Sequence, residues 1–298
     1  MPTNILVTGA TGNVGKEVVR LLSDLDSPVT AAVINPLESQ SFGNNVRCVP
    51  FNFTNPDTFT NAFAGINKLF LVRPSATAEI DRITPVLSAA KRAGIEEIVF
   101  LSIIGADKNR IVPHYKIERA ILQGRGFANE QLDIPATFLR CSFFMQNLNT
   151  THREDIRLRD KLFMPAGNGK TSFIDVRDIA AVAVKILIEE QDRSKGEILS
   201  NRAYDLTGAV ALNYSEVATI FTTVLGRQIQ YTNPAIPIFI WQMLKQGFPL
   251  QFVLVMVGIY TTARFGLADM VTSDVWRLLD RDPIKIDRYI EDYRQCWL

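Results

Sequence analysis

Asn4-Ile5-Leu6-Val7-Thr8-Gly9-Ala10-Thr11-Gly12-Asn13-Val14-Gly15 is the stretch whose reading decides the fold. Ile5, Leu6 and Val7 read as a short buried strand, which the glycines end. Beyond Gly12, the residues Val14, Val18, Leu21, Leu22 and Leu25 recur at i, i+4, i+7, i+8 and i+11, one face of a helix. Strand, glycine turn and helix make the first half of a mononucleotide-binding unit. Glycine permits the tight turn and leaves no Cβ to hold a phosphate off the backbone. The helix N-terminus then presents N–H groups and a partial positive charge to a pyrophosphate. The bland alternative is a turn in which glycine serves packing alone. Three glycines placed between a strand and a helix favour the phosphate site.

Composition bounds the rest. A chain of 298 residues suggests about two domains, or one Rossmann domain with an appendage. Apolar residues make up 47%, enough for a large core and incompatible with global disorder. With 32 basic and 31 acidic side chains the formal net charge is +1, so no nucleic-acid partner is expected. Cys48, Cys141 and Cys296 are odd in number and lack CxxC spacing. That fits a reducing cytosol and argues against a disulfide framework or a zinc site. No signal-peptide pattern precedes the first strand, and a cytoplasmic protein is expected. Residues 249–260 are almost wholly apolar. The run falls short of the ~20 residues that span a bilayer, and Lys245 and Arg264 flank it. A buried or pocket-lining helix is expected there, with no membrane partner.

Strand candidates fall at 4–8, 29–33, 46–49, 68–72, 97–101 and 136–139, with helical patterns near 14–23, 57–64, 80–93 and 114–123. Gly94 stands as a C-cap. This alternation calls for a parallel sheet with helices on both faces, in the order 3-2-1-4-5-6. After Arg140 the rhythm changes. Residues 171–176 read as a strand and Ile179, Val182, Ala183, Ile186 and Leu187 as a helix face. Asn213-x-x-Glu216 reads as a capping box opening a helix that ends at Leu225. The last 65 or so residues read as helical. The expected fold class is α/β: a Rossmann doubly wound parallel sheet with a smaller, mainly helical C-terminal substrate domain. Residues 1–148 form the dinucleotide-binding domain, with the strand and helix of 171–190 added to it, and 149–298 are mainly the substrate domain.

Three decoys are set aside. Gly169-Lys170-Thr171 lacks the earlier glycine of a P-loop, because position 164 is methionine. His114 and His152, the two histidines, have no metal-ligand spacing, so no metal is expected. Tyr115 is followed four positions on by Arg119, and arginine cannot replace the lysine of a Tyr-x-x-x-Lys pair. No Gly-x-Ser-x-Gly elbow is present.

Beyond the glycine run come His114-x-x-x-Glu118, Phe138-Leu139-Arg140, Phe143-Phe144-Met145-Gln146-Asn147, Gly167-Asn168-Gly169-Lys170 and Asp175-Val176-Arg177-Asp178-Ile179-Ala180. On these motifs the chain resembles, over nearly its whole length, the NmrA-like, atypical branch of the short-chain dehydrogenase/reductases. That branch includes NAD(P)H:quinone oxidoreductases, triphenylmethane dye reductases, festuclavine dehydrogenases and NmrA, a dinucleotide-sensing regulator. The resemblance implies NADP or NAD as cofactor, with NADPH favoured. It implies a cofactor-binding set of Gly9, Thr11, Gly12, Asn13, Val14, Ile34, Asn35, Asn52, Phe53, Arg73, Ser102 and Cys141. The chain departs from the family at Ile34-Asn35-Pro36, where relatives that prefer NADPH carry arginine, and at Asn52, where an aspartate is usual. The sequence shows no acidic residue placed to hold a free ribose 2′-OH.

The expected function is an NAD(P)H-dependent reductase passing hydride to a flat, apolar, electron-poor acceptor: a quinone, an azo or imine compound, or a conjugated carbon. Such acceptors need little proton transfer in the hydride step, so the missing Tyr/Lys pair is no obstacle. Phe143, Phe144, Trp241 and Phe252 are the expected substrate-binding residues. His114 is the catalytic candidate, bonding a substrate oxygen or supplying a proton, with a structural histidine as the alternative. The partners expected are a small apolar substrate and at most one further copy, as monomer or homodimer. The alternative function is a non-catalytic NAD(P)-sensing regulator. A sugar-nucleotide epimerase is disfavoured by the absent Tyr/Lys pair.

Overall fold

The structure, a computed structural model, describes residues 3–73, 80–124, 133–189 and 201–298. Residue 190, the last of the segment expected to join the first domain, lies outside them. In chain order come β1 (Ile5–Val7), α1 (Asn13–Asp24), β2 (Val29–Val33), β3 (Arg47–Pro50), α2 (Phe59–Phe63), β4 (Lys68–Leu71) and α3 (Ile80–Arg92). Next are β5 (Glu97–Ile103), α4 (Pro113–Leu122), β6 (Ala136–Cys141), β7 (Phe143–Phe144), α5 (Gln146–Asn149), α6 (Arg153–Arg159) and β8 (Lys161–Phe163). Then follow β9 (Lys170–Ile174), α7 (Val176–Ile188), β10 (Arg202–Leu206), β11 (Ala211–Asn213), α8 (Tyr214–Leu225) and β12 (Gln230–Thr232). The chain ends with α9 (Ile236–Lys245), α10 (Leu250–Arg264), α11 (Asp274–Leu279) and α12 (Ile286–Asp292).

Two compact units emerge. One comprises residues 1–141 and 176–206, the other 142–175 and 207–298. The first is Rossmann-like: a parallel sheet in the order β10-β6-β5-β4-β1-β2-β3. This contains the expected 3-2-1-4-5-6 arrangement and adds β10 beyond β6. The strands β1, β2 and β4 are buried along their whole length. Parallel strands covered on both faces read as unbroken apolar runs, which is why these were legible. The edge strand β10, Arg-Ala-Tyr-Asp-Leu, is only partly buried, and its polar residues hide its pairing. Gly94, at φ +82°, ends α3 as expected.

The strand at 170–174 falls in the second unit, where the sequence placed it with the first. There β9 pairs antiparallel with β11 and parallel with β7. Only the helix that follows, α7, joins the Rossmann unit. A local pattern specifies a strand but not the sheet that takes it up, because pairing is non-local. The second unit's core is strongly aromatic. Phe163 stacks on Phe239 at 6.1 Å, and Phe221 meets Trp297 edge-on at 5.1 Å. The Asn213–Glu216 capping box opens α8, and Gly226, at φ +70°, closes it. Val253, Met256, Tyr260 and Ala263 form the buried stripe of α10, while Leu254 and Val255 are exposed. No described helix is long and apolar enough to cross a membrane.

Candidate functional site

The glycine turn of the first unit is shaped by three separate demands. Gly9 lies at φ +60°, and a Cβ there would meet the Val72 Cβ at 3.0 Å. A Cβ on Gly15 would stand 2.1 Å from the Gly9 carbonyl oxygen, so α1 packs on the turn only if position 15 is glycine. Gly12 differs. Its backbone is extended, at φ −77°, and a Cβ would come only to 3.2 Å of the Gly9 oxygen. The fold alone therefore needs Gly12 least. No side chain caps α1 and no acid occupies its first turn. Thr11, Gly12 and Asn13 are exposed, and Val14 is buried beneath them. An uncapped N-terminus with no Cβ over it fits a pyrophosphate. Thr8 braces the turn: its Oγ donates to the Val72 carbonyl at 3.1 Å and accepts from the Val72 N–H at 2.8 Å.

The turn after β2 departs from the sequence reading. Ile34 is 70% exposed, and Asn35 accepts from the Leu37 N–H at 3.0 Å, starting a short 3-10 turn at 36–41. Glu38 reaches back, and its carboxylate accepts from the N–H groups of Ile34 (3.0 Å) and Asn35 (3.1 Å). An acid therefore does stand at the end of β2. The sequence reading missed it because a capping box folds back the side chain of Glu38, five residues past the strand. The Asn52 Oδ1 accepts from the Thr54 N–H (3.0 Å) and hydroxyl (2.8 Å), fixing its own turn. Phe53 is buried edge-on against Phe51, at 5.0 Å.

Past β4 and β5 the structure gathers Arg73 and His114. Burial foremost, and then the charge of Arg73, push the His114 imidazole down to about 4. At neutral pH it is therefore uncharged, able to donate an N–H bond but not to act as an imidazolium acid. Its ring lies 6.1 Å from that of Phe100. Ser102 is buried and donates to Glu118 at 2.6 Å, and Arg140 pairs with Glu118 at 2.8 Å. The Glu118 of the His114-x-x-x-Glu118 motif is thus an internal brace, and the Ser102 hydroxyl hydrogen is already engaged. Cys141 is buried at the end of β6, and burial raises its thiol pKa, so it stays a thiol.

The second unit contains a cavity of about 150 Å³. Phe143, Phe144 and Phe252 line it, together with Tyr214, His152 and Tyr260. Three of the four expected substrate residues thus meet at one hollow. Trp241 does not. It is 62% exposed, with the Lys245 ammonium 5.1 Å from its ring centroid. The buried residues of α9 are Phe239 and Met243, each two positions from Trp241 and so about 200° around the helix. His152 and Tyr260, hydrogen-bonded to each other, are among the polar lining residues that sequence reasoning missed, with Thr151 and Tyr214. His152 and Tyr260 are 108 positions apart, and no local spacing joins them. A second hollow in this unit, about 180 Å³ beside Leu212, Ile220 and Ile286, includes none of the expected site residues. Among the described residues no group of three or more His, Cys, Asp or Glu could hold a metal ion.

Comparison with known proteins agrees with this architecture. A model of the NmrA-like family matches residues 1–275. An NAD(P)H azoreductase of Xenophilus azovorans is 32% identical over 260 residues, 87% of each chain. An NADPH-dependent quinone oxidoreductase of Escherichia coli, solved with NADPH, superposes with a TM-score of 0.83 at 22% identity, covering 97% of this chain and 99% of that one. NmrA, a negative transcriptional regulator solved with NAD, superposes with a TM-score of 0.72 at 17% identity, over 98% of this chain and 95% of that one. At these identities the two solved structures speak for the fold.

Proposed function

Since the chain belongs to the NmrA-like family, we propose that it is an NAD(P)H-dependent reductase of the atypical short-chain dehydrogenase/reductase type, acting on a flat, apolar, electron-poor acceptor. A quinone, an azo or imine compound, or a conjugated carbon fits that description. The observation that carries the reading is the aromatic-lined cavity of the second unit. A dinucleotide sensor needs the glycine cradle alone. A reductase needs a second hollow, apolar and wide enough for a ring.

Bound NADP or NAD supplies the hydride chemistry. The chain's own work is to bind, orient and exclude water. Gly12 and the N-terminus of α1 hold the pyrophosphate, with Thr11 and Asn13 at the rim. Phe143, Phe144 and Phe252 give the acceptor flat walls. In the chain, cavity-lining Phe143 follows two positions after Cys141, the last residue of β6. Ligands of open α/β sheets bind beyond the carboxyl ends of the strands. His114, uncharged, does not supply a proton as an imidazolium acid.

Phe144→Ala tests the assignment. It removes stacking area worth roughly 0.5–1.5 kcal/mol beyond burial, so KM for the acceptor rises severalfold while cofactor affinity stays unchanged. An unchanged acceptor KM, or an equal loss of cofactor affinity, would remove Phe144 from the acceptor site.

A further inference from the structure

The cavity of the second unit is lined by Asn147, Thr151 and Tyr214 besides its apolar walls, and by a hydrogen-bonded pair that hydride transfer leaves without a task. His152 is 2% exposed and is held at the start of α6, where its N–H donates to the Asn147 carbonyl at 3.2 Å. Its Nε2 shares a hydrogen bond with the hydroxyl of Tyr260, from the buried stripe of α10. Both side chains line the cavity. The Nδ1 of His152 is buried and has no hydrogen-bond partner among the described residues.

Counting hydrogens shows what the pair lacks. A neutral imidazole has one N–H and one bare nitrogen, and a phenol has one O–H. If the phenol donates to Nε2, an N–H remains on Nδ1. If Nε2 donates to the phenol, the O–H remains. One donor is left over in either tautomer, and a buried donor without an acceptor is destabilising. The pair is also uncharged at neutral pH. Burial pushes the His152 imidazole down to about 4. Burial first, then Tyr214 and Tyr231, hold the Tyr260 hydroxyl well above its usual range. Among the described residues no Asp, Glu, Lys or Arg lines the cavity. A charged ligand would lose its water there and gain no counter-charge, whereas a neutral oxygen with free lone pairs is matched by the Tyr260 O–H, the donor left over when Nε2 donates to the phenol. The remaining walls include Phe143, Phe144, Phe252 and Met256, and the volume, about 150 Å³, resembles that of a cavity able to hold a benzene ring.

The geometry points to the His152–Tyr260 pair as the anchor for a neutral carbonyl oxygen on a flat, ring-bearing ligand. This rests on reading the cavity as the acceptor site, and it names the acceptor's chemistry: a carbonyl conjugated to a ring, as in a quinone or an aryl ketone.

Two probes test it on the full chain without nicotinamide. Acetophenone carries one ring and one carbonyl. In α-methylstyrene a CH2 replaces the oxygen and leaves the shape nearly unchanged. Acetophenone should bind about tenfold more tightly, the worth of one good hydrogen bond. The preference should vanish in the Tyr260→Phe/His152→Leu double variant, which still binds α-methylstyrene. Equal affinity in the wild type, binding of neither probe, or a preference that survives in the double variant overturns the anchor. Should that variant fail to fold, the wild type decides. The chain has two histidines, and the His152 ring-nitrogen NMR resonances should move with acetophenone and stay with α-methylstyrene. The same response to both overturns the proposal. A protein that binds acetophenone through the pair yet oxidises no reduced nicotinamide would keep the anchor and lose the reductase.

Discussion

Gly9, Gly12 and Gly15 look alike in the sequence and do different work. Gly9 and Gly15 serve the fold: a Cβ at either would press on Val72 or on the Gly9 carbonyl. Gly12 leaves space over the helix N-terminus for a ligand. Two substitutions separate these roles. Gly12→Val should keep the folded state, judged by circular dichroism, and abolish dinucleotide binding in calorimetry. Gly15→Ala should impair folding itself, because 2.1 Å from a carbonyl oxygen is no distance for a carbon. Unchanged cofactor affinity in a folded Gly12→Val protein would move the pyrophosphate elsewhere. At the same scale, His114 and Glu118 share a motif but not a role. Glu118 braces Ser102 and Arg140 inside the Rossmann unit, while His114 stays uncharged near Arg73.

At the scale of elements, the turn after β2 is the proposed contact to the ribose. The Glu38 carboxylate, drawn back onto the N–H groups of Ile34 and Asn35, places negative charge where Rossmann folds meet the 2′ position. That charge disfavours a 2′-phosphate and so works against the NADPH preference implied by resemblance. Glu38→Gln retains an acceptor for the capping box and removes the charge. It should raise affinity for NADPH relative to NADH by about fivefold, roughly 1 kcal/mol for a nearby like charge in water. A ratio that does not move in paired titrations would mean that the 2′ position is read by another residue. This turn also shows where sequence reasoning ends. Buried strands such as β2 and β4 were legible because an apolar run needs no partner to be recognised. The order 3-2-1-4-5-6 followed from strand–helix alternation. The carboxylate of Glu38, the edge strand β10 and the allegiance of β9 were not legible, since each depends on a fold-back or a pairing that local pattern does not encode. The same holds for the cavity. Phe143 and Phe144 were visible as an aromatic pair past a strand, whereas His152 and Tyr260 meet only through the packing of α6 and α10.

For the whole molecule, the two histidines make stability sensitive to acid. Both imidazoles are pushed down to about 4 by burial, against about 6.5 when unfolded. The unfolded chain therefore binds protons that the native state refuses. Stability is intact above pH ~6.5 and falls as the pH drops from there toward ~4, by about 2–3 kcal/mol per histidine. Urea titrations at a series of pH values should show this loss. A His152→Leu variant that still folds should lose the part due to position 152. A wild-type profile flat through this window would show that the imidazoles protonate freely in the folded protein.

If one chain pairs a cofactor cradle with an acceptor cavity, reduced nicotinamide is oxidised when both ligands are supplied. The purified protein is given NADH and NADPH separately, each with a panel of quinones, azo dyes and imines, and loss of reduced nicotinamide is followed by absorbance. Turnover is expected with at least one flat apolar acceptor, and none when Gly12→Val removes the cradle. Tight binding of the dinucleotide with no oxidation by any acceptor would contradict the pairing, and would leave the protein a sensor.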